Sequence, residues 1–220
     1  MEKQSLREVK KQVGALVELN DFDSIDAFVR RDKRALSALV ALSYNRLSEN
    51  SWRAVHIAGR VIGRIADVDH ESARVQIRKI IWNMTDESGT IPWTAPELLG
   101  EAIRENPKHF EDIVPLLIGY SHSETEDNIF VPGVLYAIWR IHEMHPQYIG
   151  DDARAVVLEE LGNKNSERCA NAVVAAGKLG LVVPPELVLK LKGRADSAAV
   201  FLDGRLENLT IDQWAEKFLG

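Results

Sequence analysis

Apolar residues recur at every third or fourth position in segment after segment of this chain as far as Leu179, and a pattern of that period is buried by helices rather than strands. Leu6, Val9, Val13, Leu16 and Val17 mark the first helix, over Ser5 to Leu19, which Asn20-Asp21 closes. Ile25, Phe28 and Val29 mark its partner. A third helix is predicted over Ala35 to Leu47, and a fourth over Trp52 to Ala66 with Asn50-Ser51 as its cap. The alternation runs on through Glu71 to Met84, Ala95 to Glu105, Phe110 to Tyr120, Asn128 to Met144, Ala153 to Leu161 and Glu167 to Leu179. The connections are short and polar or carry Gly and Pro, so the helices pair as hairpins.

The second helices of successive pairs are expected to start near Trp52, Trp93, Ile129 and Arg168, at spacings of 41, 36 and 39 residues. Units of that period cover their apolar faces by stacking on one another. In period and helix alternation the chain resembles the HEAT/armadillo-type solenoids. The expected fold class is therefore all-α, a right-handed α-α superhelix forming one domain over residues 1–220. Residues 195–220 depart from the pattern. Asp203-Gly204 between two apolar runs predicts a two-residue hairpin turn, and Thr210 with Gln213 forms a capping-box pattern opening a last helix that turns Trp214 and Phe218 inward. Hairpin and helix together are expected to cap the end of the stack.

Composition narrows the function classes. A formal net charge of -6 and a pI near 5.6 argue against a protein built to grip nucleic-acid phosphates. The single cysteine, Cys169, excludes an intrachain disulfide framework; with no secretory h-region after Met1 it points to a cytoplasmic protein, and no run is long and apolar enough for a membrane span. Cys169 itself reads as a small thiol packed between helices.

Aromatics, acids, Gly and Pro crowd together from Trp82 to Glu97. Gly89 is placed to end a turn, and Thr94-Ala95-Pro96-Glu97 fits a capping box with Thr94 as N-cap and Glu97 at N3. Trp82 and Trp93 are expected to clamp the loop onto neighbouring helices, while the adjacent acids Asp86 and Glu87 are candidates to meet a partner. Thr85 to Glu101 resembles the Asn-Asp-Glu-Ser-Gly…Trp…Ala-Pro-Glu…Gly-Glu signature of an uncharacterised family of bacterial HEAT-like proteins, with Thr85 standing where that pattern has Asn. The resemblance implies a HEAT-like fold and no particular activity.

If the helix from Trp52 lies beside the one from Trp93, an offset of 41 residues sets His56, Arg60 and Arg64 against Glu97, Glu101 and Glu105. Each row keeps the i, i+4, i+8 spacing of one helix stripe. The rows read either as an ion-pair ladder between repeats or as a polar groove floor that receives a partner, with Arg53 extending its basic half. Gly59 and Gly63 in the same stretch mark close helix approach. His142 and His145 flank Glu143, and His70 precedes Glu71. These dipeptides do not occupy equivalent repeat positions, so no metal site is expected, and His142 and His145 are assigned to helix C-terminal carbonyls. Tyr136, Trp139 and Tyr148 lie in or beside a helix apolar on most sides, which marks a buried helix. No phosphate-cradling loop, nucleophile elbow, Cys-x-x-Cys or His-Glu-x-x-His is present.

The expected function is a non-enzymatic scaffold or adaptor with no cofactor, binding a protein or peptide through the concave helix face and the 83–97 loop. Its candidate contacts are Arg53, His56, Arg60, Arg64, Asp86, Glu87, Trp93, Glu97 and Glu101. Two alternatives stand beside it. One is a HEAT-like nucleic-acid-binding or base-repair protein, which needs a continuous basic groove. The other is a small-ligand enzyme or lyase, which needs a pocket joining Glu87, Trp93 and His56.

Overall fold

The computed structural model describes residues 4–85, 92–122 and 128–220. The chain divides into two compact units, Met1–Asn106 and Pro107–Gly220. Among the described residues it is helical apart from one two-stranded sheet near the C-terminus.

The first unit holds α1 (Leu6–Glu18), α2 (Phe22–Arg31), α3 (Arg34–Leu42), α4 (Glu49–Val68), α5 (His70–Thr85) and α6 (Ala95–Glu105). A capping box starts α1: the Ser5 hydroxyl accepts from the Glu8 N–H, and the Glu8 carboxylate accepts from the Ser5 N–H. Val9, Val13 and Val17 line its buried face, as their spacing requires. Asn20, at φ 52°, turns the chain into α2, which Asp21 caps through Ser24. Alternate helices pack most closely, α1 on α3 and α4 on α6, and α4 touches α6 more extensively than it touches α5. Two boundaries differ from expectation. Helix α3 stops at Leu42 rather than Leu47, where Ser43 turns its hydroxyl back onto the Val40 carbonyl; α4 begins at Glu49 behind Ser48, not at Trp52 behind Asn50-Ser51.

The second unit holds α7 (Pro107–Phe110), α8 (Val114–Gly119), α9 (Val131–Met144), α10 (Asp151–Glu160), α11 (Ser166–Leu179), α12 (Pro185–Leu191), β1 (Ser197–Leu202), β2 (Arg205–Thr210) and α13 (Ile211–Leu219). The single helix expected over Phe110 to Tyr120 is broken. Pro115 cannot donate within a helix, so Glu111–Ile113 forms a 3-10 turn and α8 starts afresh with Pro115 in its first turn. Helices α9 and α11 pack together, with α10 against both. Tyr136 and Trp139 are buried in α9 with their rings edge to face at 5.3 Å, as expected of a buried helix.

The hairpin forms where it was predicted. Asp203 and Gly204 both have positive φ, at 48° and 89°, which suits the twist of a two-residue turn, and β1 and β2 pair antiparallel from Leu202–Arg205 to Ser197–Thr210. Thr210 and Gln213 complete the predicted capping box of α13. Trp214 is fully buried and its indole N–H donates to the Ala198 carbonyl at 3.1 Å, which ties α13 to β1 while both lie on α11.

Candidate functional site

The best-defined polar arrangement of the first unit lies along α4 and α6. A Cβ on Gly59 would meet Glu101 Cβ at 2.4 Å, and one on Gly63 would meet Glu105 Cγ at 2.6 Å. Four residues forward on one helix match four on the other, so α4 and α6 run side by side in the same direction. The two glycines supply the close approach that the sequence suggested.

The ion pairs fall in a different register from the expected one. His56 Nε2 lies 3.6 Å from Glu101 Oε1, and Arg60 Nε lies 3.9 Å from Glu105 Oε2. Arg64 turns to Asp26 of α2 at 3.8 Å, a carboxylate that also takes Arg30 at 3.0 Å. The shift of about one turn follows from the glycines and from the tilt of helical side chains toward the N-terminus. With no side chain at Gly59, the Glu101 side chain lies across that position and reaches back to His56. Arg60 and Arg64 also stack on the Phe22 ring, with guanidinium carbons 3.8 and 4.4 Å from its centroid. Arg53 is tied down locally, donating to Asn50 Oδ1 at 3.0 Å and to the Glu18 carbonyl at 3.3 Å.

Glu97 and Glu101 are buried, at 1% and 2% exposure, so neither lies open on a groove floor. Glu97 takes Arg46 Nε at 3.0 Å in a pair withdrawn from solvent on both sides, and Glu101 is approached by both His56 and Arg104. This corrects the capping box expected of Thr94 and Glu97. Thr94 does occupy the N-cap of α6, but its hydroxyl donates across to the Ser43 carbonyl and caps nothing within α6, while Glu97 is drawn to Arg46. Glu97 thus ties α6 to the α3–α4 loop through Arg46, and Glu101 ties it to α4 through the His56 imidazole.

Arg46 was missed in the sequence because it stands in that loop, outside any helical period. Its anchor is local: the Trp52 indole donates to the Arg46 carbonyl at 2.9 Å. A comparable pair was missed in the second unit, where Arg168 of α11 donates through Nε to Glu160 Oε2 at 2.8 Å.

The α3–α4 loop and the neighbouring ends of α5 and α6 carry several exposed apolar side chains. The α3–α4 loop meets α5 through Tyr44 and Asn83 at 3.4 Å, and meets α6 through Ser43–Thr94 and Arg46–Glu97. Around these contacts Leu42, Leu47, Trp82 and Trp93 are 39%, 84%, 69% and 42% exposed. The expectation that the two tryptophans clamp neighbouring helices is therefore corrected. Helix α5 buries Ala73, Ile77, Ile80 and Met84, and Trp82, two residues from Ile80, falls on the far side of that stripe. Asp86 and Glu87 lie outside the described residues.

The histidines form no cluster: no group of three or more His, Cys, Asp or Glu suited to a metal ion occurs among the described residues. His70 opens α5, whereas His142 lies in the last turn of α9. His142 Nδ1 is buried without a hydrogen bond, and burial, followed by the charge of Arg154, pushes its pKa down. The backbone N–H of His145 closes α9 on the Ile141 carbonyl at 2.8 Å, and its ring meets Tyr148 edge-on. Cys169 is buried in α11 as expected and donates to the Leu161 carbonyl at 3.1 Å; desolvation pushes its thiol up to about 11, opposed by Arg194 at 3.3 Å from the sulfur. No helix among the described residues is long and apolar enough to cross a membrane. Compared with protein-family models, with curated proteins and with solved structures, the chain matches none.

Proposed function

We propose that the chain is a non-enzymatic interaction module of HEAT-like type that binds another protein through the apolar end of its first unit. The observation that carries this reading is the grouping of Leu42, Leu47, Trp82 and Trp93, all solvent-exposed, around the α3–α4 loop. Exposed apolar side chains gathered near one loop mark a place for something else to pack, and tryptophan is among the residues that dominate binding energy at such places. The acids Asp86 and Glu87 lie in sequence between the two tryptophans.

Support for the HEAT-like reading comes from the parallel packing of α4 and α6, the arrangement that stacked helical pairs produce. The buried lone thiol suits a reducing, cytoplasmic setting. Affinity capture from the native host tests the proposal, comparing the parent chain with a Leu47→Ser, Trp82→Ala, Trp93→Ala variant whose helicity and melting are unchanged. Loss of a defined co-purifying protein by about tenfold or more is expected from removing two aromatic anchors. Equal recovery of every co-purifying protein from the folded variant rules this surface out.

A further inference from the structure

A trough of about 730 Å³ opens in the first unit between α2 and α3 on one wall and the end of α4 with α5 on the other. That volume lies in the range of small-molecule sites. Its lining is largely apolar. Val29 and Leu36 are buried beneath it, Ile65 and Val75 are partly open to it, and Val68 at its lip is 74% exposed. Nothing in the described structure covers these side chains on the trough side.

The charges around the trough do not cancel. Arg30 is held by Asp26 and Arg34 by Asp32, both acids outside the lining. Glu71 is likewise held by Arg78, a cation outside it. Asp69 accepts from the Ser72 N–H at 3.0 Å and from its hydroxyl at 2.5 Å, which together with nearby Lys33 holds its carboxyl below the usual range. Lys33 Nζ in turn donates to Ser72 Oγ at 3.4 Å and bridges the two walls. Lys79 alone among the charged lining residues makes no ion pair or hydrogen bond among the described residues. Ser72, Val75 and Lys79 share one face of α5, so the bridged end and the uncommitted ammonium are about 10 Å apart along the helix.

We propose that this trough binds a small amphipathic monocarboxylate, its apolar chain on Leu36, Ile65 and Val75 and its carboxylate on Lys79 Nζ. One apolar floor with one uncommitted cation calls for one apolar body with one negative charge. This site is separate from the apolar end assigned above to a protein partner, and neither depends on the other.

Calorimetric titration of the full chain with decanoate, below its micelle concentration, tests the assignment against decyltrimethylammonium, which carries a similar chain and the opposite charge. Saturable binding of decanoate is expected, with the cationic amphiphile at least about tenfold weaker. Lys79→Ala weakens decanoate about fivefold, in line with one partly exposed charge pair, and flattens its salt dependence. Ser37→Trp, placed at an exposed wall position, blocks both amphiphiles while the far-ultraviolet spectrum stays unchanged. Equal affinity for the two amphiphiles, or decanoate binding untouched by both substitutions, overturns the proposal. So does an acidic amphipathic peptide that binds here when decanoate does not, since that outcome assigns the trough to a macromolecule.

Discussion

Gly59 of α4 lies directly against Glu101 of α6, so close that a methyl group on the glycine would stand 2.4 Å from Glu101 Cβ and 2.8 Å from its backbone carbonyl carbon. The contact is with a backbone, which cannot swing aside, so α6 would have to move away from α4. Alanine gains about 1 kcal/mol over glycine in helix propensity, but overpacking of this kind costs about 1 to 3 kcal/mol. Gly59→Ala is therefore expected to destabilise the chain by about 1 kcal/mol net. Gly14, midway along α1, has nothing within 4 Å of such a methyl, and Gly14→Ala is expected to stabilise by about 1 kcal/mol. Urea unfolding of the two variants should show midpoints displaced in opposite directions; displacement the same way removes the close-packing account of Gly59.

Arg46 and Glu97 form the most deeply withdrawn ion pair of the first unit, with side chains 11% and 2% exposed. Removing one partner strands the other in a site largely withdrawn from water. Glu97→Ala is expected to cost about 3 to 5 kcal/mol, while replacing both residues by Met restores most of that loss because the uncompensated charge is gone. A double-mutant cycle on the unfolding free energies checks this. Additive costs would mean that the two side chains act independently.

The helices were legible because burial on one face leaves a periodic trace in the sequence, and the hairpin because Asp203 and Gly204 take a backbone conformation that few residues adopt. The pairing of charges was not legible to the same degree. The expected offset of 41 is close to the packed one, since Gly59 lies against Glu101 and Gly63 against Glu105, but it takes no account of Glu101 and Glu105 reaching back one turn across the glycines to His56 and Arg60. Nor does periodicity speak to Arg46, a loop residue whose partner lies far along the chain. Thr94 shows the same limit: the local pattern for a capping box is present, yet Ser43 and Arg46, brought in by the α3–α4 loop, offer its two members other partners.

His142 sets a pH dependence with a definite sign. Its pKa is lowered from 6.5 by burial and then by Arg154, so the folded chain binds a proton there less readily than the unfolded chain does. Stability from this group is complete above the unfolded value and is lost as pH falls below about 6.5, levelling once pH passes the lower folded value. His142→Gln is expected to remove that part of the slope. A proton titration of the His142 ring followed by NMR checks the direction, and a folded pKa above 6.5 contradicts it.

Cys169 should behave as an inert thiol until the second unit opens. Burial raises its pKa to about 11 despite Arg194 beside it, and the sulfur is engaged with the Leu161 carbonyl. At pH 8 the thiolate is then on the order of one part in a thousand, and only thiolate attacks a disulfide reagent. The folded chain is expected to react with Ellman's reagent far more slowly than a free thiol, and the guanidinium-unfolded chain at the ordinary rate. If access requires opening, the rate in intermediate urea climbs in step with the unfolded fraction followed by circular dichroism. A rate that is already fast in buffer and indifferent to urea would place the sulfur at the surface and undo the packing of α11 against Leu161 and Arg194.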